Sequence, residues 1–255
     1  MGFVKTRQEL EKYYSIKDRK FIGAKMMGVL FETKPEIVKR LLPEPLVPAD
    51  APGAMIFIAQ YPETNLGPGY REAALFLRCK YGNEPGTYCL EMPIQSEESR
   101  LYNGRDIFGF PKKIAEIHLE KNGPAASGWV ERKGIKFLEL KVNLTGRLPG
   151  LPPSGPNFLF KGMPKIDLTP GFDGPLFLCK QQTEVEVQSL EIGSAELILR
   201  PSDSDPWAEV EPVKIMAGFF LVSNNTMLPG KVIKEVDGEA YLPYYFKITD
   251  FFAGK

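Results

Sequence analysis

The chain of 255 residues predicts a mainly β fold of the α+β class, built on an antiparallel sheet or barrel. Two observations carry that prediction. With 23 prolines and 24 glycines, the sequence is cut into many short segments, which favours turns and short strands over long helices. The segments between the cuts are apolar or alternating runs of roughly five to ten residues, the length of strands. They follow one another without long intervening helices, which argues against a doubly wound α/β arrangement.

Taken in order, Thr6 to Tyr14 reads as a polar helix. Thr33 and Glu36 have the spacing of a capping box, with Pro35 in the first turn, an apolar face of Ile37, Val38, Leu41 and Leu42, and Pro43 as the stop. Met55 to Ala59 is a short apolar strand, and Ile114 to Glu120 is mixed. Ile135 to Leu144 alternates, with Leu138 out of phase. Leu176 to Lys180, Thr183 to Val187, Ala195 to Leu199 and Ile215 to Val222 complete the expected strands. Pro/Gly-rich loops span Gly146 to Pro156 and Pro201 to Pro212. Residues 1–255 read as one domain, with the first of these loops internal to it.

Composition excludes several classes of function. The 32 basic and 32 acidic side chains cancel, so no charge excess draws the chain to nucleic acid or an anionic membrane. No apolar run approaches the 18 or so residues that span a bilayer, and the charged N-terminus lacks the apolar core of a secretory signal. The Met1-Gly2…Thr6 pattern is too short to indicate myristoylation. Cys79, Cys89 and Cys179 are odd in number and lack metal-type spacing, as expected of buried thiols in a reducing cytoplasm. One histidine, His118, excludes a two-histidine metal site and reads as a packing or surface residue. Gly67-Pro68-Gly69 is not a dinucleotide fingerprint. Asp203 and Asp205 have no ligating glutamate at calcium-loop spacing and read as a solvated loop. Trp129 and Trp207 read as ordinary core or loop residues. Neither a metal nor a cofactor is expected.

The segment with most chemical content is Gly104-Arg105-Asp106-Ile107-Phe108-Gly109-Phe110-Pro111-Lys112-Lys113. A free lysine, with pKa about 10.4, is almost wholly protonated at neutral pH. Burial and a neighbouring cation each disfavour the ammonium form. In a regular strand, Lys112 and Lys113 would point to opposite faces. A turn or bulge around Gly109 and Pro111 would instead bring both to one cavity. The plain alternative is a solvated lysine pair on a loop.

Gly104-Arg105-Asp106 leading into Phe110-Pro111-Lys112-Lys113 resembles the acetoacetate decarboxylase family. Pro43-Glu44-Pro45-Leu46, Leu66-Gly67 with Tyr70-Arg71-Glu72, Pro156-Asn157-Phe158 with Lys161, and Leu228-Pro229 with Val232-Ile233 extend the resemblance over nearly the whole chain. It implies a largely antiparallel, barrel-like sheet around a closed pocket, with peripheral helices. Lys112 is implied as the Schiff-base lysine, Lys113 as the neighbour that lowers its pKa, and Glu72 as the pocket glutamate. Activation of that lysine by desolvation or a cationic neighbour is the general rule for this enzyme. Arg105 and Phe110 support the loop. Two positions depart from the pattern: the pocket arginine falls on Ala24 and a second pocket acid on Ile56. Read without the resemblance, Glu72 is an exposed turn residue and Arg105 a surface partner of Asp106. The aromatic tail Tyr241 to Phe246 is long enough to reach over a pocket, with Tyr244 or Tyr245 as acid or base.

Three functions are compatible with these residues. One is a lyase that condenses Lys112 with a small keto acid or other carbonyl substrate, followed by decarboxylation or by aldolase- or dehydratase-type chemistry. A second is a binding or sensor protein that keeps the pocket without turnover. The third is a β-rich structural protein. The apolar strands and the resemblance also imply a homo-oligomer.

Overall fold

The computed structural model describes residues 2–51, 53–96, 98–152 and 154–254. Its elements run α1 (Arg7–Ser15), β1 (Arg19–Glu32), α2 (Pro35–Leu41), β2 (Val47–Pro48), β3 (Ala54–Thr64), β4 (Gly67–Tyr81), β5 (Glu84–Gln95) and α3 (Glu98–Leu101). A π-helical turn over Tyr102–Phe108 follows. Then come β6 (Lys112–Ile114), β7 (Glu116–Asn122), β8 (Ala125–Arg132), β9 (Ile135–Leu148), β10 (Asn157–Lys161), β11 (Leu176–Gln181) and β12 (Thr183–Leu199). A 3-10 turn at Trp207–Val210 leads into β13 (Lys214–Met227), β14 (Lys231–Val236), α4 (Gly238–Tyr245) and a last 3-10 turn at Phe246–Ile248.

All the strands join one sheet of 14, in the order β14-β11-β10-β5-β4-β3-β1-β13-β12-β9-β8-β7, with β2 beside β4 and β6 beside β5. Every pairing is antiparallel except β10 with β5 and β5 with β6. The fold is thus mainly β with peripheral helices, as the sequence predicts. The sheet is barrel-like by curvature and not by closure, because β14 and β7 end the path. It curls far enough for β7 to pack across β3 and β4.

The curl gives the central strands two buried faces. Ala73-Ala74-Leu75-Phe76-Leu77 in β4 is buried without a break, as expected of a strand covered on both sides. Alternate residues enter different cores. Ala73, Leu75 and Leu77 join Met27, Ile56, Phe137 and Leu138 in the main core. Ala74 and Phe76 join Ala24, Phe57, Ala59, Phe108 and Phe110 in a second, smaller core. Gly28 in β1 is required by this packing: a Cβ there would lie 2.3 Å from the Phe219 ring.

Several expectations change on contact with the fold. α1 forms behind a true capping box between Thr6 and Glu9. α2 has no such box: Lys34 is its N-cap and makes no side-chain cap bond. Thr33 is buried and donates instead to the Val210 carbonyl, tying β1 to the Trp207 turn. Thr183 to Val187 and Ala195 to Leu199 are two ends of one 17-residue strand, β12, which carries a bulge between Val187 and Ser189. Ile114 to Glu120 divides at Ala115 into β6 and β7. The Gly146 to Pro156 loop begins only after β9 ends at Leu148. Among the described residues, no helix is long and apolar enough to cross a membrane.

Because Thr33 bonds to the Val210 carbonyl rather than to its own helix, Thr33→Val leaves a buried carbonyl unsatisfied and lowers unfolding free energy by about 1–3 kcal/mol. Glu36→Gln should change it by less than about 0.5 kcal/mol. Urea denaturation of the two variants checks both values.

Candidate active site

The Gly104 to Lys113 segment is shaped by its backbone before its charges act. The π-helical turn ends at Gly109, whose φ of 91° lies in the left-handed region that favours glycine. A Cβ there would also meet the Phe160 carbonyl at 2.6 Å. Gly109 N donates to Arg105 O at 2.9 Å and Phe110 N to Gly104 O at 3.1 Å, closing the helix end. Pro111 O then accepts from Met92 N, and β6 runs parallel to β5 with Lys112 opposite Met92 and Lys113 opposite Pro93.

Lys112 and Lys113 are both buried, at 5% and 6% exposure. As regular strand residues they project to opposite faces, so no bulge brings the two ammonium groups to a common cavity. Lys112 enters the smaller core and pairs with Glu72. Glu72 is a buried residue of β4 and not an exposed turn residue. The Tyr61 hydroxyl donates to one Glu72 carboxylate oxygen and the Tyr70 hydroxyl to the other, each at 3.4 Å. Burial, reinforced by the Glu72 charge, holds both phenols well above the ordinary tyrosine range. They therefore remain donors. Gly104 leaves space for the lysine chain, since a Cβ on it would lie 1.9 Å from Lys112 Cε.

Lys113 enters a cluster of charges on the other face. Its ammonium lies 3.0 Å from Glu91, 3.4 Å from Asp205 and 3.7 Å from Asp250, and it donates to Ser204 O. Arg132 bridges Asp205 at 3.2 Å and Asp250 at 2.6 Å, and Trp207 donates its indole N–H to Glu91 at 2.9 Å. Asp205 is wholly buried, so the Pro201 to Pro212 loop is not simply solvated. Burial drives the Glu91 carboxyl up to about 8, with the Lys113 charge opposing and Asp205 adding to the rise.

The other expected site residues divide between these surroundings. Phe110 is buried in the smaller core with Phe57, Phe76 and Met92. Arg105 is a partly exposed partner of Asp106, with Nε 3.0 Å from Oδ1. Tyr244 and Tyr245 pack on the main core: Tyr244 reaches the Arg40 carbonyl at 3.4 Å, and Tyr245 meets Phe172 edge-on at 5.3 Å. The tail does not bring them onto Lys112. It instead extends Lys247 to Tyr88 Oη at 2.6 Å and Cys89 O at 3.0 Å, where burial lowers the amine to about 7. Ala24 faces the smaller core, whereas Ile56 faces the main one, so Phe57 is the β3 residue on the lysine side. His118 stacks on Trp129 at 5.6 Å. Among the described residues, no three His, Cys, Asp or Glu side chains are grouped to hold a metal.

Tyr61, Glu91, Arg132 and Asp250 are absent from the sequence-derived site. Tyr61 had one available signal: with Tyr70 and Glu72 two apart on a strand, its own position across the hairpin completes one face. The Lys113 cluster draws on residues far apart along the chain and has no local pattern.

A curled sheet that holds one amine against one carboxylate inside an apolar core defines a class of protein, and comparison with known chains identifies it. The family model described as acetoacetate decarboxylase matches residues 4–236, and the chain belongs to that family. An acetoacetate decarboxylase of Burkholderia lata is 26% identical over 228 residues, spanning 84% of this chain and 87% of that one. The crystal structure of acetoacetate decarboxylase from Legionella pneumophila is similar with a TM-score of 0.75 at 21% identity, covering 85% and 87% of the two chains. The enduracididine biosynthesis enzyme MppR, complexed with the condensation product of pyruvate and imidazole 4-carboxaldehyde, is similar at 0.73 and 16% identity, over 84% and 88%. α4 and the tail lie beyond the matched region.

Two variants probe the two faces of β6. Gly104→Ala should displace Lys112 from Glu72 and lower the melting temperature while far-ultraviolet circular dichroism stays unchanged. Glu91→Gln addresses pH. A carboxyl raised from 4.5 to about 8 on folding binds a proton in the folded state that the unfolded state has lost, so stability falls as pH rises across that interval. In Glu91→Gln this fall, read from melting temperature between pH 5 and 8, should flatten.

Proposed function

We propose that the protein is a lyase whose Lys112 forms an iminium with the carbonyl carbon of a small keto acid. The observation that supports this reading best is the burial of the Lys112–Glu72 pair in an apolar core with two phenols on the carboxylate. An ammonium cannot attack a carbonyl, and Glu72 is the group in contact that takes its proton. The amine adds, the carbinolamine loses water using the proton returned by Glu72, and a protonated imine results. Electrons from a bond β to the imine nitrogen then flow into it and leave an enamine. If that bond carries a carboxylate, carbon dioxide departs. If it carries a hydroxyalkyl group, an aldehyde departs, and the reverse reaction is aldol condensation with possible loss of water. Protonation of the enamine carbon and hydrolysis regenerate Lys112.

Two observations favour the aldol branch. Ala24 places a methyl group where the family pattern has an arginine, and a structural relative is complexed with a condensation product of pyruvate. On this reading Lys113 anchors β6 through its own acidic partners. Arg105 supports the turn through its backbone, and Tyr244 and Tyr245 are packing residues. The proposal extends to a single domain, to a homo-oligomer, and to a reducing cytoplasm suited to three buried free thiols.

Borohydride reduction after incubation with pyruvate or acetoacetate tests the reading. Peptide mapping should find the reduced adduct on Lys112, and Lys112→Ala should give none. Glu72→Gln should slow adduct formation about 100-fold or more, the range for a lost general base. A folded protein that forms no adduct with any carbonyl compound favours the binding or sensor role.

A further inference from the structure

We propose that Arg100 is the carboxylate-binding residue of the lysine pocket, which makes the substrate a carbonyl compound carrying a carboxylate. This rests on the reading of Lys112 as the carbonyl-reactive amine. Arg100, in α3, is only 6% exposed. Its Nη2 donates to Thr64 Oγ1 at 3.0 Å and to the Pro68 carbonyl, and its Cζ lies 5.1 Å from the centre of the Tyr70 ring. These partners are all neutral. Among the described residues, no carboxylate pairs with it, and Glu72 is committed to Lys112. A guanidinium taken out of water without a counter-charge is costly, and its planar fork matches a carboxylate with two parallel hydrogen bonds. The contacts to Thr64 and Pro68 both use Nη2.

Tyr70 lies next to both the arginine and the lysine. Tyr70 is shared: its ring centre lies 5.1 Å from Arg100 Cζ and 5.8 Å from Lys112 Nζ, and its hydroxyl bonds to Glu72. One residue therefore spaces the amine that would take a carbonyl from the cation that would take an acid. Gly67, whose φ of 120° favours glycine, brings the hairpin between β3 and β4 against the guanidinium, with Nη2 at 3.5 Å, an ordinary contact distance, from the position of its missing Cβ. The family's arginine position is Ala24 here, and Arg100 supplies a cation from a different element.

The test compares carbonyl compounds that differ in charge. Wild type, Arg100→Met and Arg100→Lys are incubated with pyruvate, acetoacetate or acetone, reduced with borohydride, and assayed for adduct on Lys112. In Arg100→Met the adduct with the two acids should fall at least about tenfold more than the adduct with acetone, as expected for loss of a charge-assisted hydrogen bond. Arg100→Lys should recover part of the difference. Equal loss for acids and acetone means that Arg100 only anchors the hairpin, and it overturns the inference. If wild type forms no adduct at all, calorimetric titration with propanoate decides separately. Binding that is lost in Arg100→Met upholds the carboxylate site while the lysine reading fails. Absent or unaltered binding removes the site as well.

Discussion

The strand alternation at Lys112-Lys113 is the constraint on which the rest of the site depends. Three residues of β6 hold two ammonium groups, and the two-residue repeat of a strand sends them to different cores. Burial of one charge is costly, and burial of two neighbours is tolerable only if each meets its own compensation. Lys113 meets the Asp205 and Asp250 carboxylates, which it shares with Arg132, together with the Glu91 carboxyl and the Ser204 carbonyl. Lys112 meets one carboxylate. The asymmetry supports the proposed roles: a heavily paired cation to fix the strand, and a singly paired one with one partner to exchange.

That division also explains the surrounding backbone. The left-handed Gly109 and the side-chain-free Gly104 act together, one turning the chain into β6 and the other leaving room for the Lys112 methylenes. The smaller core then covers the pair with Phe57, Phe76, Phe108 and Phe110. In such surroundings an ion pair exchanges little with water, and its mutual attraction is screened less than at the surface.

Much of this was legible in the sequence, and the reasons for the misses are physical. The fold class followed from segment length, and Lys112 and Glu72 from motif and order along the chain. β1 was not recognised because Gly23, Gly28 and its lysines break the apolar pattern, yet Gly28 is there to receive the Phe219 ring. Thr33 and Glu36 have the spacing of a helix cap, but a buried carbonyl at Val210 claims the threonine hydroxyl. Asp205 looked like a polar loop residue because nothing nearby in sequence reveals Lys113 or Arg132. Arg100 carries no motif at all. Pairings between distant segments leave no periodic trace, and buried polar networks consist largely of such pairings.

The tail beyond β14 reaches back to the charges beside β6. Asp250 pairs with Lys113, Arg132 and Lys133 at once, and Lys247 rests on Tyr88 and Cys89 of β5. Both come from residues outside the matched family region. The buried charges beside β6 are therefore completed by a segment outside the matched region. Divergence at the end of the chain has a direct route to β5 and β6, so relatives that keep every motif residue need not share one electrostatic environment.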